Sequence, residues 1–406
     1  MESMNVTSTE NWADALAVQW DVIVVGAGPA GIAAAMESHR LGLRTLLLDK
    51  NRFPRDKVCG GCMNQVALAQ LSALGCGELP RQLGAVPLLR FVLGVQGREV
   101  ALHLPGGMAL SRVVFDNGLL ATALSRGLPF MQEVIVRDGS VGDGVRQLHI
   151  RRGHEQGTLS ARWVVAADGL GGRYTASLAG CIPETRPAAY MGLSTELEDG
   201  SAYAAGTIHM ASHGKAYVGL VRLENNHLHL AAAAHPDLIR QAGSPSSVLR
   251  TVLQGVGWPV PSDLNAGVFH GTPHLTTRHR PVALERVFLV GDAAGYIEPF
   301  TGEGIAWALM GGCAVAGLLP EAVSTADWQL PVRDWNRTYT NLLGRRQRIC
   351  QWMTRSLRHP KLTDWLVSGL TRIPGLADPL IQAINTPQTS QSLRGTFHPG
   401  SKTDTP

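Results

Sequence analysis

The chain has 406 residues, 45% of them hydrophobic and 17% charged, enough apolar material for a large core in two or three domains. Its 36 basic and 32 acidic side chains leave a net charge of +4, too weak a bias to suggest a nucleic-acid partner. The six cysteines follow no disulfide framework, which points to a reducing, cytoplasmic setting.

The N-terminal segment lacks the basic and apolar regions of a secretory signal. No run approaches about 18 uninterrupted apolar residues, so no spanning helix is expected. The first informative segment is DVIVVGAGPAGIAAAMESHRLGLRTLLLDK, residues 21–50. Val22 to Val25 read as a buried parallel strand. Gly26, Gly28 and Gly31 form GxGxxG, and an alanine-rich helix containing Ala30 follows to about Leu41. Thr45 to Leu48 read as a second strand closed by Asp49. The glycines permit a tight turn, a close backbone approach to a pyrophosphate, and close packing of helix on strand. The helix N-terminus presents free N–H groups and partial positive charge to phosphate. Asp49 stands where a carboxylate accepts from an adenosine ribose, and it disfavours a 2′-phosphate. Dinucleotide binding follows, with FAD or NAD preferred to NADP.

Next comes RDKVCGGCMNQVALAQL, residues 55–71. One CxxC supplies only two ligands and no second pair lies at zinc spacing, so a metal site is not expected. MNQVALAQL reads as a helix directly after Cys62, which would put Cys59 and Cys62 near a helix N-terminus and lower their pKa values. Residues 83–110 read as strands and turns, and RDGSVGDGV (137–145) as a hairpin turn. ARWVVAADGLGG delivers Asp168 and Gly169 from a strand over Trp163 to Ala167. Residues 188–280 read as β-rich, with a hairpin flanking Glu224, Asn225 and Asn226. The eight histidines from His209 to His279 read as ordinary sheet and loop residues, and TPHLTTRHRP (272–281) as a connector. RVFLVGDAAGYIEPFTGEGIAWALMGG (286–312) repeats the strand–glycine–helix pattern.

Beyond residue 325 the chain reads as helical. LGRRQRICQWMTRSLRHP places Ile349, Met353 and Leu357 at helical spacing among arginines. The plain reading is a helix packed on the rest of the fold with a solvated basic face. The basic, Trp352- and Trp365-bearing helices also suit peripheral contact with anionic lipid at the inner face of a membrane. From about residue 386 the composition suggests disorder.

Three motifs in this order and spacing resemble the flavoprotein group containing para-hydroxybenzoate hydroxylase and geranylgeranyl reductase. The resemblance spans roughly residues 20–325 and implies an α/β fold: a Rossmann-like FAD-binding domain, an inserted β-rich substrate domain and C-terminal helices. The corresponding division is 18–82, 107–187 and 281–325 for a discontinuous FAD domain, and 83–106 and 188–280 for the substrate domain. Residues 326–385 form the C-terminal helical region and 386–406 a disordered tail. It further implies that Gly291, Asp292 and Pro299 bind the cofactor, Asp292 at the flavin's ribityl or pyrophosphate portion. Gly302, Gly304 and Ile305 would lie beside the isoalloxazine. SRVVFDNGLL matches the group's RxxFDxxL pattern and makes Arg112 a cofactor contact. Val136 matches a position packed on adenine, and Asp168-Gly169 a motif tied to FAD and NAD(P)H handling, although Gly172 replaces its usual serine. Gly60 and Gly61 let the backbone pass close to the isoalloxazine. Cys59 matches a cysteine facing the reaction cavity, and Cys62 stands where relatives often carry glycine.

The resemblance leans toward the geranylgeranyl reductases. Gly295, Glu303 and Ala306 replace the histidine, glutamine and asparagine usual in aromatic hydroxylases, and KVCGG follows the second strand. It implies reduction of a carbon–carbon double bond in a hydrophobic, isoprenoid or polyketide-like small molecule. No second GxGxxG follows a strand, so NAD(P)H would visit as a transient reductant. The alternative is an FAD-dependent aromatic monooxygenase using NAD(P)H and O2. A flavin halogenase is disfavoured by the absence of WxWxIP. A disulfide reductase is disfavoured by the cysteine spacing and the missing nicotinamide motif. A non-catalytic FAD- or lipid-binding protein is the remaining class.

Overall fold

The computed structural model describes residues 6–185, 189–298, 302–357 and 360–387. The strand Gln19–Val25 pairs in parallel with Thr45–Leu48 on one side and with the end of Glu155–Ala166 on the other. Val22, Ile23 and Val24 are fully buried, as expected for a strand covered on both faces. Each such side chain contributes about 1.5–3 kcal/mol on burial. Val287–Leu289 joins Glu155–Ala166 in parallel and Phe130–Met131 joins Thr45–Leu48. The carboxyl ends of the strands before the three glycine motifs therefore line up at one edge of this sheet.

Helix Pro29–Arg40 packs on helix Gly304–Ser324. A Cβ on Gly312 would lie 2.3 Å from Ala30 O, so only glycine allows the two backbones to meet this closely. By length and composition Gly304–Ser324 could cross a membrane, but 72% of its apolar window is buried inside the protein. It is a core helix. Around it Trp163 stacks on Phe288 at 4.4 Å, and the indoles of Trp163 and Trp335 donate to Ala322 O and Leu289 O. Large aromatics are thereby buried with their donors satisfied.

A second, seven-stranded sheet runs in the order 270–274, 191–197, 228–234, 216–222, 207–213, 90–95 and 98–103. The parallel pairing of Arg90–Val95 with Thr207–His213 brings two distant stretches of sequence into one sheet. Helix Pro245–Gly255 buries Val248, Leu249, Val252 and Leu253 against one face. Val367 from helix Pro360–Arg372, with Met353 from helix Gln329–Leu357, packs with Leu93, Val95 and Val100 at the other end.

The segment expected to be a connector, 272–281, is built into the seven-stranded sheet and a third, small one. His270–His274 is an edge strand paired with Met191–Leu197, and Thr277–His279 belongs to a small sheet with Pro183–Thr185 and Gly295–Tyr296. Thr276 takes a left-handed φ of 68° between them, which redirects the chain from one sheet to the next. The expected turns at Asp143-Gly144 and Glu224 to Asn226 are present between antiparallel strands. The segment expected to be a disordered tail lies, from residue 388, outside the described residues.

Candidate cofactor and reaction site

Each glycine of the first motif meets a different constraint. Gly26 has φ of 107°, and a Cβ there would sit 2.3 Å from Ala167 O. A Cβ on Gly31 would lie 1.8 Å from Gly26 O. Gly28 is different: it precedes helix Pro29–Arg40 as an N-cap without a side-chain bond, and a Cβ would approach only Arg55 Nη2, at 3.6 Å. The space over Gly28 is open and the helix end is uncapped, which fits a phosphate-bearing ligand. Asp49 accepts from Ala27 N at 2.7 Å and Asn51 N at 2.8 Å, fixing the end of the second strand to the glycine loop. Val134 N donates to Asp49 O at 2.9 Å, which brings the strand of buried Val136 alongside.

Arg55 is a site residue that motif reading missed. Its Nη2 donates to Ala27 O at 3.1 Å, Nη1 lies 3.3 Å from Asp116 Oδ2, and Nε lies 3.8 Å from Asp49 Oδ2. That Nε is buried without a hydrogen-bond partner among the described residues. A buried guanidinium with one N–H left unpaired, beside an uncapped helix, is a second feature suited to a diphosphate. Lys57 Nζ bonds Asp292 Oδ2 at 2.9 Å and lies 3.4 Å from where a Gly169 Cβ would be, so one ammonium spans the second and third motifs.

The CGGC loop sits between the two main sheets. Gly61 has φ of 66°, and a Cβ there would meet Leu223 at 3.2 Å and Leu110 O at 3.4 Å. His229, read from sequence as an ordinary sheet residue, places Nε2 2.6 Å from Cys59 O. A carbonyl only accepts, so Nε2 carries the proton. In the neutral ring Nδ1 is then the bare nitrogen, and it is buried without a partner among the described residues. Arg112 is buried rather than superficial. It holds Asp116 through Nε at 2.8 Å and Nη2 at 2.6 Å, and the Cys59 side chain lies near enough to act on its charge. Burial acts to lower the Arg112 pKa, but Asp116 and Cys59 outweigh it and hold it above the usual arginine range.

The expectation of a lowered Cys62 pKa is corrected. Cys62 lies in the strand Cys62–Asn64, paired with Gly107–Ala109, and the helix begins only at Gln65, capped by Asn64. Burial, with Cys59 adding to it, pushes the Cys62 thiol up to about 12.

The second motif is shaped by its own acid. The Asp168 carboxylate turns into its own loop, accepting from Tyr174 N at 2.8 Å, Thr175 N at 3.1 Å and Thr175 Oγ1 at 2.5 Å. Burial raises its pKa against the effect of these bonds. A Cβ on Gly172 would lie 2.1 Å from the Asp168 carboxyl carbon, which explains glycine in place of serine. Gly169, with φ of 77°, makes the turn itself.

In the third motif Gly291 has φ of 58°, and a Cβ would lie 2.8 Å from Ala30 Cβ, so the first and third loops abut. Gly302 has φ of 67°, and a Cβ there would lie 3.9 Å from Cys62 Cβ, which sets this motif beside CGGC. Gly304 opens the core helix without a side-chain cap, no atom lies within 4 Å of its would-be Cβ, and Ile305 is buried behind it. Glu303 bonds Arg346 Nη1 at 3.1 Å and Trp307 Nε1 at 3.3 Å, so the buried acid at this helix start is paired. Arg346 continues to Ile384 O at 2.9 Å and Thr386 O at 2.6 Å. Burial raises the pKa values of Tyr296 and Tyr217 well above the ordinary phenol range, with Asp292 next for Tyr296 and Glu298 next for Tyr217, so both stay protonated. Pro299 lies outside the described residues.

A family model described as an FAD binding domain matches residues 19–330. Menaquinone reductase of Mycobacterium tuberculosis H37Rv is 30% identical over 337 residues, covering 74% of this chain and 76% of that protein. Digeranylgeranylglycerophospholipid reductase 2 of Methanopyrus kandleri is 26% identical over 331 residues, covering 76% and 79%. Among solved structures, the flavin-dependent brominase Bmp2 superposes with a TM-score of 0.76 at 15% identity, covering 93% of this chain and 98% of that one. PqsL of Pseudomonas aeruginosa, a probable FAD-dependent monooxygenase, gives 0.68 at 16%, covering 87% and 100%. These two likenesses establish the fold. With the uncapped helix, the open space at Gly28 and the family match over most of its length, the chain belongs to the FAD-binding flavoprotein family and is an FAD-dependent oxidoreductase.

Proposed function

We propose that this enzyme reduces a carbon–carbon double bond in a hydrophobic, isoprenoid or polyketide-like substrate, with NAD(P)H as transient reductant. The observation that carries the reading is the CGGC loop held against both Gly302 and the second sheet, with His229 Nε2 on Cys59 O and the buried Arg112 beside the Cys59 side chain. The names of the reductase relatives support it. FAD, once reduced, supplies a hydride.

The chain's own residues would do the rest. The N-terminus of helix Pro29–Arg40, Arg55 and Lys57 receive the diphosphate; Asp49 and Val136 receive the adenosine end. Gly291, Asp292, Gly302, Gly304 and Ile305 receive the ribityl and ring portions. The uncapped Gly304 helix offers positive potential, and the pairing of Glu303 with Arg346 prevents the acid from cancelling it. Cys59 Sγ hands its proton to the alkene carbon that does not take the hydride, and Arg112 supplies the counter-charge for the sulfur left behind. The Leu223 side chain gives this wall its apolar character and helps keep water out.

The test is turnover of polyprenyl substrates by reduced enzyme with and without O2, read by product mass. A gain of two hydrogens under anaerobic conditions supports the reductase. A strictly O2-dependent gain of one oxygen atom overturns it in favour of the aromatic monooxygenase.

A further inference from the structure

The C-terminal helices carry a surface that the reaction site does not use. Helix Gln329–Leu357 has 29 residues and is about 43 Å long. Arg337, Arg345, Arg348, Trp352 and Arg355 are all exposed, at spacings of eight, three, four and three, which aligns them on one helix face. Helix Pro360–Arg372 packs against this helix and adds Trp365, with exposed Arg372 and Ile373 at its end and Leu376 just beyond. Trp352 is 58% exposed, Trp365 71%, Ile373 58% and Leu376 61%. The helix packs on the core through Trp335, Leu342, Leu343 and Cys350, and its outward face carries large open apolar side chains besides the solvated arginines.

We propose that this surface docks the protein on an anionic lipid bilayer, with the tryptophans and aliphatics entering the headgroup boundary and the arginines meeting acidic headgroups. The inference is independent of the reaction assigned to the flavin site. Charge decides between the candidate occupants. The C-terminal segment 388–406 contains Arg394 and Lys402 against Asp404, a net of 2 − 1 = +1, so it does not complement an arginine stripe. A second copy in a two-fold contact would set the stripe against itself. A nucleic acid has the right charge, but Ile373 and Leu376 offer it nothing, whereas both suit an interface that takes apolar groups on one side and cations on the other.

The test uses the full FAD-loaded chain and flotation with vesicles of phosphatidylcholine alone or with about one-third phosphatidylglycerol. Flotation is expected only with the anionic vesicles, with a blue shift of tryptophan emission and release at about 0.5 M salt. Arg345→Gln with Arg348→Gln should weaken partition about 25-fold, since each arginine near such a surface is worth about fivefold. Trp352→Gln with Trp365→Gln should abolish the blue shift. FAD content and melting temperature should stay at wild-type values in both pairs. Absence of flotation, or flotation unchanged in both pairs, overturns the proposal. So does a dimer that the tryptophan pair disperses, or binding of single-stranded RNA lost in these variants without any vesicle binding.

Discussion

Lys57 Nζ lies 2.9 Å from Asp292 Oδ2, a contact between residues 235 apart in sequence that ties the CGGC loop to the third glycine motif. Both side chains are partly open, so the pair is worth little to the fold itself. Its value lies in charge. Without the ammonium, Asp292 would face the incoming diphosphate unbalanced. Lys57→Met is expected to weaken FAD binding up to about fivefold with the melting temperature of the apoprotein nearly unchanged. Asp292→Asn in the same chain should recover much of that loss. Titration of FAD by fluorescence quenching checks both, and additive losses in the double variant would refute the coupling.

The two cysteines of CGGC should behave differently because their partners differ. Cys59 lies beside the Arg112 guanidinium, while the Cys62 thiol bonds Gly60 O at 3.3 Å and is pushed up to about 12 by burial and Cys59. Cys59→Ala should reduce turnover by about 100-fold, within the range of a lost proton donor, with FAD retained. Cys62→Ala should change turnover by less than about twofold. In alkylation at neutral pH Cys62 should remain unmodified, because only the thiolate attacks. Mass spectrometry after iodoacetamide distinguishes the two sites. Equal and complete loss of turnover in both variants, with a reducible disulfide, would make the pair a redox dithiol instead.

Thiols that are wholly or partly buried also set an alkaline limit on stability. Burial raises Cys62 and Cys313 from 9.0 to about 12, and Cys181 to about 11, with Cys59, Glu37 and Asp168 adding to the respective shifts. Above pH 9 the unfolded chain releases these protons while the folded chain keeps them. The folded state then binds more protons, so stability falls as pH rises, through a window from about 9 to 12. Below 9 these groups contribute no slope. Thermal unfolding in reductant should show a melting temperature that declines above pH 9, and Cys313→Ala should make the decline shallower. An unchanged slope in that variant would remove Cys313 as a contributor.

What the sequence made legible is local. Gly26, Gly31 and Asp49 act on one another within about one strand–helix–strand unit, so spacing alone carried their arrangement. The regions misread are those in which a distant segment decides the local structure. Cys62 looked like the start of a helix because nothing nearby announces its pairing with Ala109. Thr277–His279 looked like a connector because its partners are Pro183–Thr185 and Gly295–Tyr296. Arg55, Lys57 and His229 were missed for the same reason: each acquires its meaning from a residue far along the chain. Asp168 is the opposite case. The motif was visible, but the turn that absorbs its carboxylate depends on Gly172, whose missing side chain is what makes room.

Gly26 and Gly28 separate folding from cofactor binding. A methyl group on Gly26 would lie 2.3 Å from Ala167 O and 2.6 Å from its carbonyl carbon, and φ of 107° is hostile to any L side chain. Gly26→Ala should therefore damage the sheet itself, lowering both apoprotein stability and FAD content. Gly28 has φ of −85°, which alanine adopts freely, and a methyl group would touch only Arg55 at 3.6 Å. Gly28→Ala should fold with a wild-type apoprotein melting temperature. Its methyl group occupies the space over the uncapped helix, so FAD affinity should fall at least about tenfold from the lost close approach. Calorimetry on apoprotein, paired with FAD titration, reads the two effects separately. If Gly28→Ala bound FAD as tightly as wild type, the diphosphate would have to lie elsewhere than over this helix end.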